Sequence, residues 1–231
     1  MRYGHVISGR FLVRRNRFIA EAEIAGRVET VHVKNTGRCR ELLAPGCEVF
    51  LEKAVNPARK TPYDLIAVKK TRPGREPLLI NMDSQVPNAA ALEWLPASGL
   101  FSPQARFRRE VTHGDSRFDI FAEDGPRRAF IEVKGVTLED NGTVLFPDAP
   151  TERGVKHLKG LAACVKEGFE AYIFFVVQMK GVSRFRPNDA LHPEFGSALR
   201  RAVREGVKVL AMDCRVTPDS IAVDSPVGID L

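Results

Sequence analysis

The sequence predicts a mixed α+β protein of two units. A small N-terminal β-barrel spans residues 1–83, and an α/β unit with a mixed sheet spans 84–231. Three observations carry this reading. The chain up to Thr71 consists of short alternating runs broken by turn residues. The rest alternates strand-like runs with amphipathic helices. The positive charge is also divided: residues 1–95 hold 16 Lys+Arg against 10 Asp+Glu, whereas residues 96–231 hold 19 of each.

In chain order, HVISGRFLVRR, RFIAEAEIA and RVETVHVK read as three strands joined at Asn16 and Gly26. NTGRCRELLAPG reads as a loop with a helical turn at Glu41–Leu43 and a closing Pro-Gly turn. EVFLEKAV and DLIAVKKT supply two more strands, and five short antiparallel strands suit a small barrel, the OB-fold being one solution among several. The boundary falls between Thr71 and Ser102, with LLINM as a further pairing strand. PNAAALEWLPASG then reads as a helix, opened by Pro87, striped by Ala91, Leu92 and Leu95, and followed by Gly99.

In the second unit ARFRREVT, RFDIFAE and AFIEVKGV read as strands. TERGVKHLKGLAACVKEG is the clearest helix, with Val155, Leu158, Leu161, Ala162 and Val165 on one face, Thr151 as N-cap and Gly168 past its end. EAYIFFVVQM is a continuous apolar run, the pattern of a strand buried on both faces. PEFGSALRRAVREG is a second helix, VKVLAMDC a further strand, and IAVDSPVGIDL an edge strand.

The 231 residues are 44% hydrophobic and 28% charged, which excludes a disordered chain, a collagen and a disulfide scaffold. The longest apolar run, Ala171–Val177, is far shorter than a bilayer span of ~20 residues, so no membrane partner is expected. The N-terminus has no long apolar stretch of the signal-peptide kind. Cys39, Cys47, Cys164 and Cys214 form no CxxC pair and no zinc spacing, which fits reduced thiols in the cytoplasm.

The chemistry concentrates between Glu110 and Asp148. In AFIEVKG, alternation sends Ile131 and Val133 to one face and Glu132 and Lys134 to the other. In RFDIFAE, Phe118 and Ile120 are read as one apolar face, leaving Asp119 opposite. A hairpin turn at EDGPRR brings Asp119, Glu132 and Lys134 to one end of one face. Two carboxylates suit Mg²⁺ or Mn²⁺, which accept phosphate oxygens. The Lys134 ammonium can orient water or stabilise charge on phosphorus. The competing reading is an exposed Glu–Lys pair with Asp119 unrelated. Asp148 precedes a helix start, so it is open to a capping or a metal-ligand role. Glu110 is a further acid or a surface partner of Arg108 or Arg109. Arg153 and His157 are spaced i, i+4 on one helical face, where an anion site is one reading and a solvated face the other. His157 as a proton shuttle is weighed against a lone surface histidine.

The barrel is basic. Arg14, Arg15 and Arg17 surround a hairpin turn, and Lys34, Arg38 and Arg40 surround the NTG loop. They are candidates for contact with a phosphate backbone, weighed against a merely soluble basic surface. Aromatic side chains are sparse in this unit, which argues against reading bases by stacking.

These segments together resemble the sugar fermentation stimulation protein A (SfsA) family over essentially the whole chain. The resemblance rests on RRNRF, NTGRCRELLAPG, the PN of QVPN, REV with SRFDIF, FIEVKGVTL, FPDAPTERGVKHLKGL and FFVVQM. It implies an OB-like N-terminal domain and a restriction-endonuclease-like C-terminal domain of the PD-(D/E)XK kind. It implies DNA binding with little sequence preference and a regulatory role in sugar (maltose) metabolism. The nuclease motif carries over onto Asp119, Glu132 and Lys134, with Glu110 and Asp148 as extra acids. Two functions follow as expectations. One is a DNA-binding phosphodiesterase whose Mg²⁺ or Mn²⁺ is held by Asp119, Glu132 and Asp148. The other is a non-catalytic DNA-binding regulator using the same domain as a scaffold. RNA in place of DNA, the strandedness of the substrate and the oligomeric state stay open.

Overall fold

The computed structural model describes residues 1–35, 37, 39–56 and 58–231. Its first strands are β1 (Val6–Arg14), β2 (Ile19–Ile24) and β3 (Arg27–Val33), an antiparallel meander. The Asn16 side chain makes the first turn, its Oδ1 accepting from Phe18 N at 2.9 Å and Ile19 N at 3.0 Å. Next come β4 (Glu48–Lys53), β5 (Tyr63–Arg72) and β6 (Arg75–Asn81). β4 bridges β1 and β5, and β3 runs parallel to β5, so β1 to β5 close a five-stranded barrel. β6 is the LLINM strand and extends the sheet beyond β5. Phe11, Val31, Val49, Leu51 and Leu65 fill the barrel. Leu42 and Leu43, on the single turn after Cys39, are buried in the same core.

The second unit begins with α1 (Val86–Trp94), with Pro87 in its first turn. A six-stranded mixed sheet follows. β7 (Arg106–His113), β8 (Ser116–Asp124) and β9 (Arg127–Val136) form an antiparallel meander. β12 (Glu170–Val177) lies parallel to β9 and to β14 (Lys208–Thr217), and β15 (Ser220–Pro226) closes the edge. β12 is central and nearly every side chain on it is buried, as its unbroken apolar run requires. α2 (Glu152–Lys166) and α3 (Pro193–Arg204) cover one face, where Leu158, Leu161 and Leu199 meet Ile173, Phe175 and Val177. α1 covers the other, with Ile131, Val133, Phe174 and Val176 beneath it. A second sheet is built from short pieces: β10 (Leu138–Asp140), β11 (Thr143–Phe146), β13 (Arg184–Pro187) and β16 (Gly228–Ile229). No hydrophobic period signals strands this short. Among the described residues no helix is long and apolar enough to cross a membrane.

One expectation is corrected here. Phe118 and Ile120 do not share a face: Phe118 packs with the α2-side core and Ile120 with the α1-side core. The cause lies on the neighbouring strand. Glu110 sits at φ 56°, in the left-handed region, directly where β7 passes Asp119. Alternation inverts there on both strands, so Phe107 packs on the α1 side and Val111 on the α2 side.

The two units are joined by buried polar contacts. Glu139 on β10, with a side chain 1% exposed, meets Lys70 at 2.7 Å and Arg72 at 3.7 Å on β5. Gln178 Nε2 donates to Asn81 O, Asn81 Oδ1 and Asp83 O at 3.0–3.1 Å. The N-terminal segment also crosses over: Tyr3 N donates to Asp219 O at 2.8 Å, and Ile221 N to Met1 O at 3.0 Å.

Candidate metal and nucleic-acid site

β8 and β9 pair from Asp124↔Arg127 to Ile120↔Ile131, and the ladder stops there. Asp119 stands at that opening. Its Oδ2 accepts from Val133 N at 2.8 Å, in place of the next ladder bond, and its Oδ1 accepts from Asn88 Nδ2 on α1 at 2.8 Å. The expectation from sequence that Asp119 and Glu132 share one end of one face meets an Asp119 bonded to Asn88 on α1 and a Glu132 bonded to His157 on α2. The sequence does not reveal Asn88 as the side chain that holds Asp119.

Glu132 lies on the α2 side of β9 and is 1% exposed. Its Oε1 accepts from Lys134 Nζ and from His157 Nδ1. Its Oε2 is buried and has no hydrogen-bond partner. Lys134 Nζ also lies 3.5 Å from His157 Nδ1, and Arg153 Nε donates to His157 Nε2 at 3.4 Å. His157 is 5% exposed, whereas Arg153, one turn earlier on the same face, is exposed, so that face is only partly solvated. The His157 end of that face turns inward, onto the carboxylate.

The two carboxyls are driven in opposite directions. Burial pushes the Asp119 carboxyl above its ordinary range, and the Glu132 charge adds to this. Burial opposes ionisation of Glu132 as well, but the bonds from His157 and Lys134 prevail and hold it below its usual range.

The other expected acids stand apart. Glu110 is exposed, and its carboxylate pairs with Arg117 at 2.9 Å. Asp148 does not cap α2: that role falls to Thr151, whose Oγ1 accepts from Gly154 N at 3.0 Å. Asp148 is exposed as a residue, yet its carboxylate lies against the barrel loop. A Cβ on Gly37 would come within 2.8 Å of Asp148 Oδ2, so the carboxylate end lies close against this glycine. Desolvation there pushes the Asp148 carboxyl upward. Among the described residues no three His, Cys, Asp or Glu side chains are grouped to hold one cation, so Asp119, Glu132 and Asp148 do not form a ready-made trio. Gln178 serves the joint between the units, and Lys180 pairs with Asp213 at 2.9 Å, so neither adds to the site.

A polar cleft of about 410 Å³ opens beside these groups, lined by Arg17, Gly37, Gly135, Asp148, Thr151 and Gln178. It separates the barrel loop from the start of α2. A larger groove, of about 740 Å³, lies on the outer face between α2 and α3, with Val155, Leu158 and Ala198 on its walls. It carries none of the clustered acids.

On the barrel three of the five expected phosphate contacts among the described residues have partners inside the chain. Arg14 donates to Gly37 O, Arg17 O and Asn35 O at 2.6–2.7 Å and to Asn16 O at 3.2 Å. Arg15 makes a bidentate pair with Glu21 at 2.8 and 2.9 Å. Lys34 meets Asp83 at 2.7 Å. Arg17 and Arg40 are exposed, and Arg38 lies outside the described residues.

The fold and site define a class of protein: an OB-type barrel joined to a mixed α/β domain that carries a buried carboxylate–lysine cluster. The chain belongs to the SfsA family. The model of the SfsA N-terminal OB domain matches residues 12–76, and that of the sugar fermentation stimulation protein RE domain matches residues 85–220. A sugar fermentation stimulation protein homolog of Desulfitobacterium hafniense (strain Y51) is 53% identical over 231 residues, covering 100% of this chain and 99% of that one. A homolog of the same description in Clostridium beijerinckii is 49% identical over 231 residues, with 100% of both chains covered. The solved structure of Pyrococcus furiosus SfsA in complex with Ca²⁺ is similar at a TM-score of 0.86 and 26% identity, covering 100% of this chain and 98% of that one.

Proposed function

We propose that this protein is a metal-dependent phosphodiesterase that acts on DNA with little sequence preference. The observation that carries the reading is Glu132 Oε2, a buried carboxylate oxygen with no partner, held beside Asp119 and Lys134. Buried polar atoms are normally satisfied, and an orphan calls for a missing ligand. Mg²⁺ or Mn²⁺ fits, because such cations take one or two protein carboxylates and complete their shell with water and phosphate. The archaeal relative's complex with Ca²⁺, another hard oxygen-seeking cation, supports the same choice.

When bound, the cation would neutralise phosphate charge and make water more acidic. The chain's own groups divide the remaining work. Glu132 and Asp119 supply the carboxylate oxygens. Lys134 keeps Glu132 ionised and holds a positive charge near the position of a reacting phosphate. Arg17, at the cleft, and Arg40 are exposed cations able to meet the phosphate backbone.

The test is cleavage of plasmid and of single- and double-stranded oligonucleotides with Mg²⁺ or Mn²⁺. Lys134→Ala lowers the rate about 10²–10³-fold, the cost of losing one group that stabilises developing charge. If wild type and Lys134→Ala leave every substrate equally intact, the proposal fails. The second reading, a non-catalytic DNA-binding regulator, draws on the lack of a third gathered acid among the described residues. It requires DNA binding that ignores the metal and survives Asp119→Ala.

A further inference from the structure

We infer that His157 is a positioning residue that fixes which oxygen of Glu132 faces a divalent cation. The inference rests on the metal-dependent reading above and adds a residue that touches neither cation nor substrate. Its ground is the asymmetry of one carboxylate. Two donors, Lys134 Nζ and His157 Nδ1, converge on Glu132 Oε1, while Oε2 is buried with none. A carboxylate has room for about four donors spread over both oxygens. Crowding both donors onto one oxygen stops the group from turning and keeps the other oxygen open.

The ring is itself held. Arg153 Nε donates to His157 Nε2 at 3.4 Å, which makes Nε2 the acceptor and leaves the proton on Nδ1, facing Glu132. Local sequence explains why the ring arrives there. Thr151 caps α2 and sets its start. Gly160, one turn beyond His157, lets the helix settle on β8: a Cβ there would lie 2.7 Å from Ser116 Oγ and 3.1 Å from Phe118 Cζ. That close approach brings His157 against β9, while Arg153, one turn earlier, stays exposed and reaches the ring from outside. The Phe118 ring, 6.4 Å from the imidazole, backs it. Phe118 is available for this because β8 inverts its faces at Asp119.

Partners of this kind, which orient a ligating group through its other bonds, change metal affinity about 10–100-fold when lost. The experiment is titration of the full-length protein with Mn²⁺ alone, without nucleic acid, followed calorimetrically at one fixed pH. Wild type binds. His157→Phe keeps the packing but has no donor, and its Mn²⁺ affinity falls about 10–100-fold. His157→Gln, whose amide can still donate to Oε1, restores most of that loss. Lys156→Ala, on the exposed side of α2, leaves affinity unchanged. If wild type binds no Mn²⁺, the metal-dependent reading itself falls. If wild type binds and His157→Phe binds as well, or His157→Gln is as weak as His157→Phe, the positioning role is overturned and the reading stands. Should His157→Phe not fold, Arg153→Met decides: with the tautomer freed it weakens Mn²⁺ several-fold, and wild-type affinity there sinks the inference.

Discussion

The barrel and the α/β domain treat their charged side chains in opposite ways. The barrel carries the whole positive surplus of the sequence, yet Arg14, Arg15, Lys34, Arg59, Lys69 and Lys70 all bond within the chain. The α/β domain is balanced in charge, yet one of its buried acids keeps an oxygen with nothing bonded to it. Net charge is thus a poor guide to where a ligand binds. What counts is bonding capacity left over after the fold has taken its share.

That contrast can be attacked at three points. The largest effect is expected at Glu139, where the barrel's cations meet an acid of the second unit. Glu139→Gln leaves Lys70 and Arg72 almost buried without their counter-charge, a loss of about 3–5 kcal/mol in urea unfolding. The pH dependence has a definite sign. Burial opposes ionisation of Glu139, but Lys70, the Gly142 N–H and Arg72 prevail and hold its carboxyl below the usual range. A group lowered on folding stabilises above its unfolded value, near 4.5, and loses that contribution as pH falls through the folded value. Wild type therefore weakens below about pH 4.5, and Glu139→Gln flattens that limb of the profile. An unchanged acid limb would break the assignment.

Arg14 comes next. Its guanidinium ties the hairpin turn to the loop at Asn35–Gly37, so Arg14→Ala destabilises the protein by about 1.5–3 kcal/mol. DNA affinity of the folded fraction, and its dependence on salt, stay as in wild type. A lower salt slope with normal stability would make Arg14 a phosphate-binding residue after all. The smallest effect belongs to the exposed pair. Arg17→Ala with Arg40→Ala leaves stability within about 0.5 kcal/mol and lowers the slope of log affinity against log salt by about one for each phosphate no longer neutralised. The measurement is a gel-shift series across salt concentrations.

Much of the architecture was legible because periodicity records burial. The unbroken apolar run of β12 and the stripe on α2 could only be a central strand and a helix packed on one face. The pairing of β8 with the Glu132 strand followed from the turn at Gly125. What escaped was set by backbone detail and by approach distance. A left-handed Glu110 inverts two strands, and nothing in RREV marks it, since glutamate rarely takes that conformation. The spacing of Arg153 and His157 gave their shared face, but the burial of His157 depends on how closely Gly160 lets α2 approach. The commitment of Arg14 to backbone carbonyls is also invisible in a count of arginines.

The crossing of the N-terminal segment bears on how the chain folds. Residues 1–3 are made long before their backbone partners, Asp219 to Ile221, which lie more than 200 residues further along the chain. Closing a loop of that length carries a large entropy cost before any contact repays it. The barrel strands can collapse early, but the segment ahead of them must wait, unpaired, until β15 exists. Docking of this segment is thus tied to the making of β15: the joint between the two units closes only once residues 219–221 are there to receive it.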